Sequence, residues 1–90
     1  MVVKCFVYII QSIKTGEYYV GSAEDIERRL LQHNAGNVLA TKHKRPYELV
    51  FSQEFDNTQA ARKAEMRIKS WRRRDFIEKI VRDGKLKKIE

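Results

Sequence analysis

Two short apolar stretches, Phe6-Val7-Tyr8-Ile9-Ile10 and Tyr18-Tyr19-Val20-Gly21, are followed at once by Ser22-Ala23-Glu24-Asp25-Ile26-Glu27-Arg28-Arg29-Leu30-Leu31-Gln32-His33. The run from Val2 to Ile10 is apolar on both alternating faces apart from Lys4, the pattern of a central strand covered on both sides. Ile13-Lys14-Thr15-Gly16-Glu17 supplies turn chemistry, and Tyr18 to Gly21 then reads as a second strand antiparallel to the first. Ser22 opens a Ser-x-x-Asp capping pattern, with Glu24 and Asp25 in the first helical turn, where the helix dipole favours acids. Ile26 and Leu30, with Leu31 beside them, form an inward stripe, and Gly36 is a stop signal.

Working outward, residues 37–46 read as a loop carrying Thr41, Lys42, His43, Lys44 and Arg45 and ending at Pro46. Tyr47 to Ser52 is a third strand. Asp56-Asn57-Thr58 offers caps for a second helix whose Ala61, Ala64, Ile68 and Trp71 recur at helical spacing. A third helix is expected from Arg74 to Asp83, with Phe76, Ile77, Ile80 and Val81 on one face and Gly84 ending it. The order β-β-α-β-α-α predicts an α/β fold with a three-stranded antiparallel sheet flanked by helices. The chain of 90 residues is expected to form one domain, residues 1–90, around one modest core.

Charge is unevenly placed. Residues 1–61 hold seven Lys/Arg and seven Asp/Glu, whereas the remainder holds twelve basic and five acidic groups and so carries the whole net charge of +7. A polyanion is the natural partner for such a surface, although excess charge also serves solubility alone. No stretch is apolar for the ~20 residues of a membrane helix, and no signal-peptide pattern is present. Cys5, the single cysteine, sits inside an apolar run and is expected to be a buried small hydrophobe. These features point to a cytoplasmic protein. Two histidines and one cysteine without ligand spacing argue against zinc, and no glycine-rich nucleotide loop exists.

The two tyrosine stretches and the helix after them resemble the GIY-YIG nuclease superfamily, in its small stand-alone bacterial branch. Phe6-Val7-Tyr8 stands in place of the first tripeptide and Tyr19-Val20-Gly21 in place of the second. The ordered set continues through Asp25 to Arg29, His33 with Gly36, and Ala64-Glu65 with Ile68-Lys69, covering roughly residues 4–80. Departures are Phe6-Val7 for Gly-Ile, Ser22 where some members carry a lysine that acidifies a tyrosine, and no late asparagine after Glu65.

The resemblance implies a metal-dependent endonuclease that hydrolyses DNA phosphodiester bonds, directed by structure or damage, as in DNA repair. It implies that Tyr8 and Tyr19 position and help deprotonate the attacking water, with the choice of base left open. Arg29 matches the catalytic arginine, and His33, one helical turn later on the same face, would bind a phosphate oxygen or relay a proton. Glu65 matches the metal-binding glutamate, and one carboxylate with substrate phosphate and waters is how Mg²⁺, or Mn²⁺ in its place, would be held. Each residue also has a plain structural reading: sheet aromatics for the tyrosines, a solvated helix face for Arg29, and a Glu65–Lys69 surface pair.

Arg28, Lys42, His43, Lys44, Arg45, Arg72, Arg73 and Arg74 form the candidate nucleic-acid footprint, with DNA favoured over RNA. A protein partner that supplies substrate specificity is compatible with so small a module. The alternatives are a non-catalytic nucleic-acid-binding module of the same fold, and an accessory subunit whose basic helices dock an acidic partner.

Overall fold

The structure is a computed structural model that describes residues 4–71 and 74–84. Its elements are β1 (Cys5–Ser12), β2 (Tyr18–Ala23), α1 (Ile26–Asn34), β3 (Tyr47–Phe55), α2 (Thr58–Trp71) and α3 (Arg74–Asp83), with a short 3-10 turn at Lys42–Lys44 before β3. The three strands form one antiparallel sheet in the order β2-β1-β3, so the apolar β1 is central, as its sequence requires. β1 pairs with β2 through Tyr8↔Gly21 and Ile10↔Tyr19, and with β3 through Tyr8↔Ser52 and Ser12↔Tyr47.

Alternation along β1 feeds two cores. Cys5, Val7 and Ile9 point to the face covered by α2 and α3, where Val20, Phe51, Ala61, Ala64, Ile68 and Ile80 are buried with them. Tyr8 and Ile10 point to the opposite face, where Tyr47 is buried and Ile26 and Leu30 of α1 pack on them. Cys5 is a free, buried thiol. Among the described residues no helix is long and apolar enough to cross a membrane.

The structure departs from the sequence expectations in four places. β2 runs on to Ala23, so Ser22 lies in a strand and the cap of α1 is Asp25, whose side chain accepts the Arg28 amide. The pairing of Ser22 and Ala23 with Val7 and Phe6 keeps these residues in the sheet for two positions past the glycine. Leu31 is 71% exposed, because Ile26 and Leu30 alone fill the narrow stripe that meets the sheet. β1 and β3 each extend beyond the sequence estimate, to Ser12 and Phe55. Trp71 and Phe76 stand at the margin of the core, half exposed and stacked edge to face on each other. α2 is capped by Asn57, which accepts the Ala60 amide, and Gly84 closes α3 at φ +73.

Ile68 is fully buried between α2 and the sheet, so Ile68→Ala should leave a cavity and cost about 2–5 kcal/mol. Urea denaturation measures this, and a cost below ~1 kcal/mol would show that this core can collapse around the gap.

Candidate active site

β2 is an edge strand, and there α1 and α2, which lie on opposite faces of the sheet, both reach its side chains. They enclose a cleft of about 390 Å³ lined by Tyr8, Tyr19, Gly21, Ser22, Arg29, Arg62, Glu65, Met66 and Lys69. Four of the five residues expected to do chemistry, Tyr8, Tyr19, Arg29 and Glu65, therefore line one cavity. The fifth, His33, is fully buried behind it.

The register explains how Tyr8 reaches the cleft. It is paired with Gly21, and a Cβ built on that glycine would lie 2.5 Å from the Tyr8 hydroxyl oxygen and 2.6 Å from its ring carbon. The phenol can lie across the neighbouring strand only because no side chain stands there. Its oxygen is 2.8 Å from His33 Nε2, and His33 Nδ1 is 2.7 Å from the hydroxyl of Thr41, also fully buried. The Tyr19 ring stacks edge to face on His33, with centroids 5.1 Å apart. At the far side of α1, Gly36 adopts φ +83, and a side chain there would run into the guanidinium of Arg45.

Burial pushes the Tyr8 phenol above its usual range. The nearby Arg29 opposes that, and the neighbouring Tyr19 and Glu65 add to it. Burial, with Arg29 nearby, lowers His33 from the ordinary 6.5 to about 4, so the imidazole is neutral at physiological pH. Arg29 also donates to the Gln32 side chain at 2.9 Å, which leaves the rest of its fork open to the cleft.

Glu65 is tied on both oxygens. Ser22 Oγ donates to Oε1 at 2.6 Å, and Lys69 Nζ donates to Oε2 at 2.6 Å. The Glu65–Lys69 pair expected as a plain surface contact therefore exists, but the carboxylate is largely covered and belongs to the cleft. A hard divalent cation fits this donor set in one way, with a single Glu65 oxygen and the remaining positions filled by water and substrate oxygen. Among the described residues no group of three His, Cys, Asp or Glu comes together, so no fuller protein cage competes with that arrangement.

The candidate nucleic-acid contacts among the described residues lie outside the cleft. Arg28, Lys42, His43, Lys44, Arg45 and Arg74 are exposed, and none of them lines the cleft. Lys44 pairs with Glu17 at 2.9 Å, and Arg74 pairs with Glu78 at 2.8 Å and lies over the Tyr18 ring. Arg72 and Arg73 lie outside the described residues. Thr41, grouped with the basic loop on sequence, turns inward to His33 instead.

Sequence reasoning passed over Arg62, Met66 and Lys69 as cleft residues and Ser22 as a partner of Glu65. The signal was the helical period: Arg62, Met66 and Lys69 lie at i, i+4 and i+7, one face of α2 with Glu65. Lys69 also stands 5.5 Å from the Tyr19 ring centroid.

The family described as the GIY-YIG catalytic domain matches residues 4–80. This chain belongs to the GIY-YIG family. It is 38% identical over 82 residues to a UPF0213 protein of Staphylococcus saprophyticus, a match that covers 90% of this chain and 98% of the other. A UPF0213 protein of Halobacterium salinarum is 38% identical over 64 residues, 70% of this chain and 82% of that one. The solution NMR structure of a UPF0213 protein from Bacillus halodurans shares the fold with a TM-score of 0.55 at 28% identity, covering 90% of this chain and 86% of that one. GIY-YIG membership implies a nuclease-type function acting on nucleic acid, in a family that generally uses divalent metals.

The depressed His33 value makes stability depend on pH with a definite sign. The unfolded chain takes up this proton more readily than the folded one, so the contribution is full above pH 6.5 and is lost as pH falls through that value toward about 4. The loss should be on the order of 2–3 kcal/mol. Urea midpoints measured across that window should fall more steeply for the native chain than for His33→Gln, and equal slopes would contradict a neutral buried imidazole.

Proposed function

We propose that the chain is a metal-dependent endonuclease that hydrolyses DNA phosphodiester bonds, with residues 1–90 acting as one GIY-YIG unit. The observation that carries this reading is the convergence of Tyr8, Tyr19, Arg29 and Glu65 on one cleft, with the Tyr8 hydroxyl bonded to a neutral histidine.

Phosphodiester hydrolysis needs a deprotonated water, neutralised charge on the phosphoryl oxygens and a stabilised leaving oxygen. Tyr8 and Tyr19 hold the attacking water between their phenols. Tyr8 takes its proton while passing its own to His33 Nε2, which accepts when the neutral imidazole carries its proton on Nδ1. The imidazolium formed is costly in so buried a place, and the anionic phosphate in the cleft offsets that cost. Arg29 donates to a non-bridging oxygen, where charge grows in the transition state. Glu65 would hold Mg²⁺ or Mn²⁺, which would supply Lewis-acid stabilisation of the developing negative charge. Lys69 moves from Glu65 toward the phosphate, and Arg62 on the same helix face contacts the backbone.

Phosphate contacts of this kind carry no sequence information, and the cleft offers few groups that read base edges. Substrate choice therefore rests on DNA structure or damage, on a protein partner, or on both, as in repair in the cytoplasm. DNA is favoured over RNA. A second reading, a nucleic-acid-binding module without turnover, is favoured by one observation: both Glu65 oxygens already have protein partners.

Labelled single-stranded, duplex and branched DNA incubated with Mg²⁺, Mn²⁺ or EDTA separates the two. Nicking that requires metal should fall by about 10²–10³-fold in Arg29→Ala, the scale for one lost charge-stabilising donor, and be abolished in Glu65→Gln. Binding with steep salt dependence but no nicking in any metal would leave only the second reading.

The pH dependence follows from the same groups. The relay needs a protonated Tyr8, which lies above the usual phenol range, and a neutral His33, so the rate should rise as pH passes through about 4 and then hold level across neutrality. A bell centred near neutrality would require a different base.

A further inference from the structure

Thr41 is fully buried, yet the mechanism above gives it no task. Its hydroxyl oxygen lies 2.7 Å from His33 Nδ1 and 3.4 Å from the carbonyl oxygen of Val38, which also accepts the Thr41 amide at 3.1 Å. A neutral imidazole has one donor and one acceptor nitrogen, so the state of Nδ1 fixes the state of Nε2. A carbonyl is an acceptor only, so the Thr41 proton has a fixed place to go, and its oxygen is left to accept from Nδ1–H.

The Tyr8 end agrees. The Tyr8 hydroxyl lies 2.8 Å from Nε2, and the positive Arg29 guanidinium near the phenol favours a phenol proton turned away from it, toward that nitrogen. Every donor is then used once, in one direction. Tyr8 O–H donates to Nε2, Nδ1–H donates to Thr41, and Thr41 O–H donates to Val38. Reversing the chain would take the Thr41 proton from the Val38 carbonyl and leave the Tyr8 proton without a partner inside. Among the described residues no buried side-chain polar atom lacks a partner, so the run is fully satisfied in the first direction.

The geometry points to Thr41 as a positioning residue that holds His33 in the tautomer with its proton on Nδ1, so that Nε2 stays open to the Tyr8 hydroxyl proton. The consequence for the reaction rests on the nuclease reading and singles out Tyr8, not Tyr19, as the base. In that step the water O–H bond breaks and its proton bonds to the Tyr8 oxygen. The Tyr8 proton leaves for Nε2, and the water's electron pair forms the bond to phosphorus. The bond from phosphorus to the leaving oxygen breaks, that oxygen keeps the electron pair and takes a proton from solvent, and the imidazolium returns its proton through Tyr8 to solvent. Thr41 touches neither water nor phosphate and acts only through His33.

Long-range proton–nitrogen correlation NMR of the isotope-labelled full chain near neutral pH reads the tautomer directly, with His43→Gln assigning the two imidazoles. The expected result is the Nδ1–H form in the native chain and in Thr41→Ser, which keeps the hydroxyl. Thr41→Val keeps the shape but can neither accept nor donate, and should turn the major form to Nε2–H. Its kcat should fall by about 10-fold or more at unchanged KM, and Thr41→Ser should restore it. An Nε2–H imidazole in the native chain overturns the proposal, as does an Nδ1–H form unchanged in Thr41→Val. If Thr41→Val does not fold, Thr41→Ala serves for the comparison, and the native spectrum still decides by itself. The spectrum needs no turnover, so a chain that never nicks DNA would overturn the nuclease reading while the tautomer result stands.

Discussion

The hydrogen bond between the Tyr8 hydroxyl and His33 is the contact on which the rest of the structure depends. It links the central strand to α1 through the buried core, and Thr41 carries it on into the loop before β3. Three polar side chains are buried in this run, and each would destabilise the fold by several kcal/mol if left alone in an apolar interior. Because all are paired, the run fixes one arrangement of strand, helix and loop. A second tie closes the same region, where Asn34 at the end of α1 exchanges hydrogen bonds with the backbone of Tyr47.

The cleft follows from where the sheet ends. β1 is covered on both faces, but β2 has one free edge, and there Tyr8 of β1 reaches the cleft. Helices from the two faces overhang that edge, α1 with Arg29 and α2 with Arg62, Glu65 and Lys69. The result is a cavity with three cations and one carboxylate, mounted on helix and strand. Its fields suit an anion that also brings a divalent cation.

The separation between this cleft and the exposed basic groups has a physical basis. Lys44 and Arg74 are held by local acids, and Arg45 leans over Gly36, so these side chains help shape the surface around the turn and helix ends. Runs of charge in sequence do not say which members already have partners. Helical period does better, because side chains three, four and seven positions apart must share a face whatever the fold around them. Arg62, Met66 and Lys69 were legible by that rule beside Glu65, whereas Ser22 was not, since a strand that continues past a glycine cannot be told by pattern from a helix cap.

The sequence by itself determined the element order, the central place of β1, the family and the set of residues from which a nuclease site can be made. These follow from local periodicity and from motifs whose order along the chain is specific. Only the tertiary structure decided which of them meet. It put Ser22 on Glu65, turned Thr41 inward, and seated His33 behind Tyr8 and not in the cleft. The reason is that contact between residues 8, 33 and 41 depends on strand register and on how a helix packs across the sheet. Neither is written in the spacing of any one segment, and both are settled only when every buried polar group must find a partner at once.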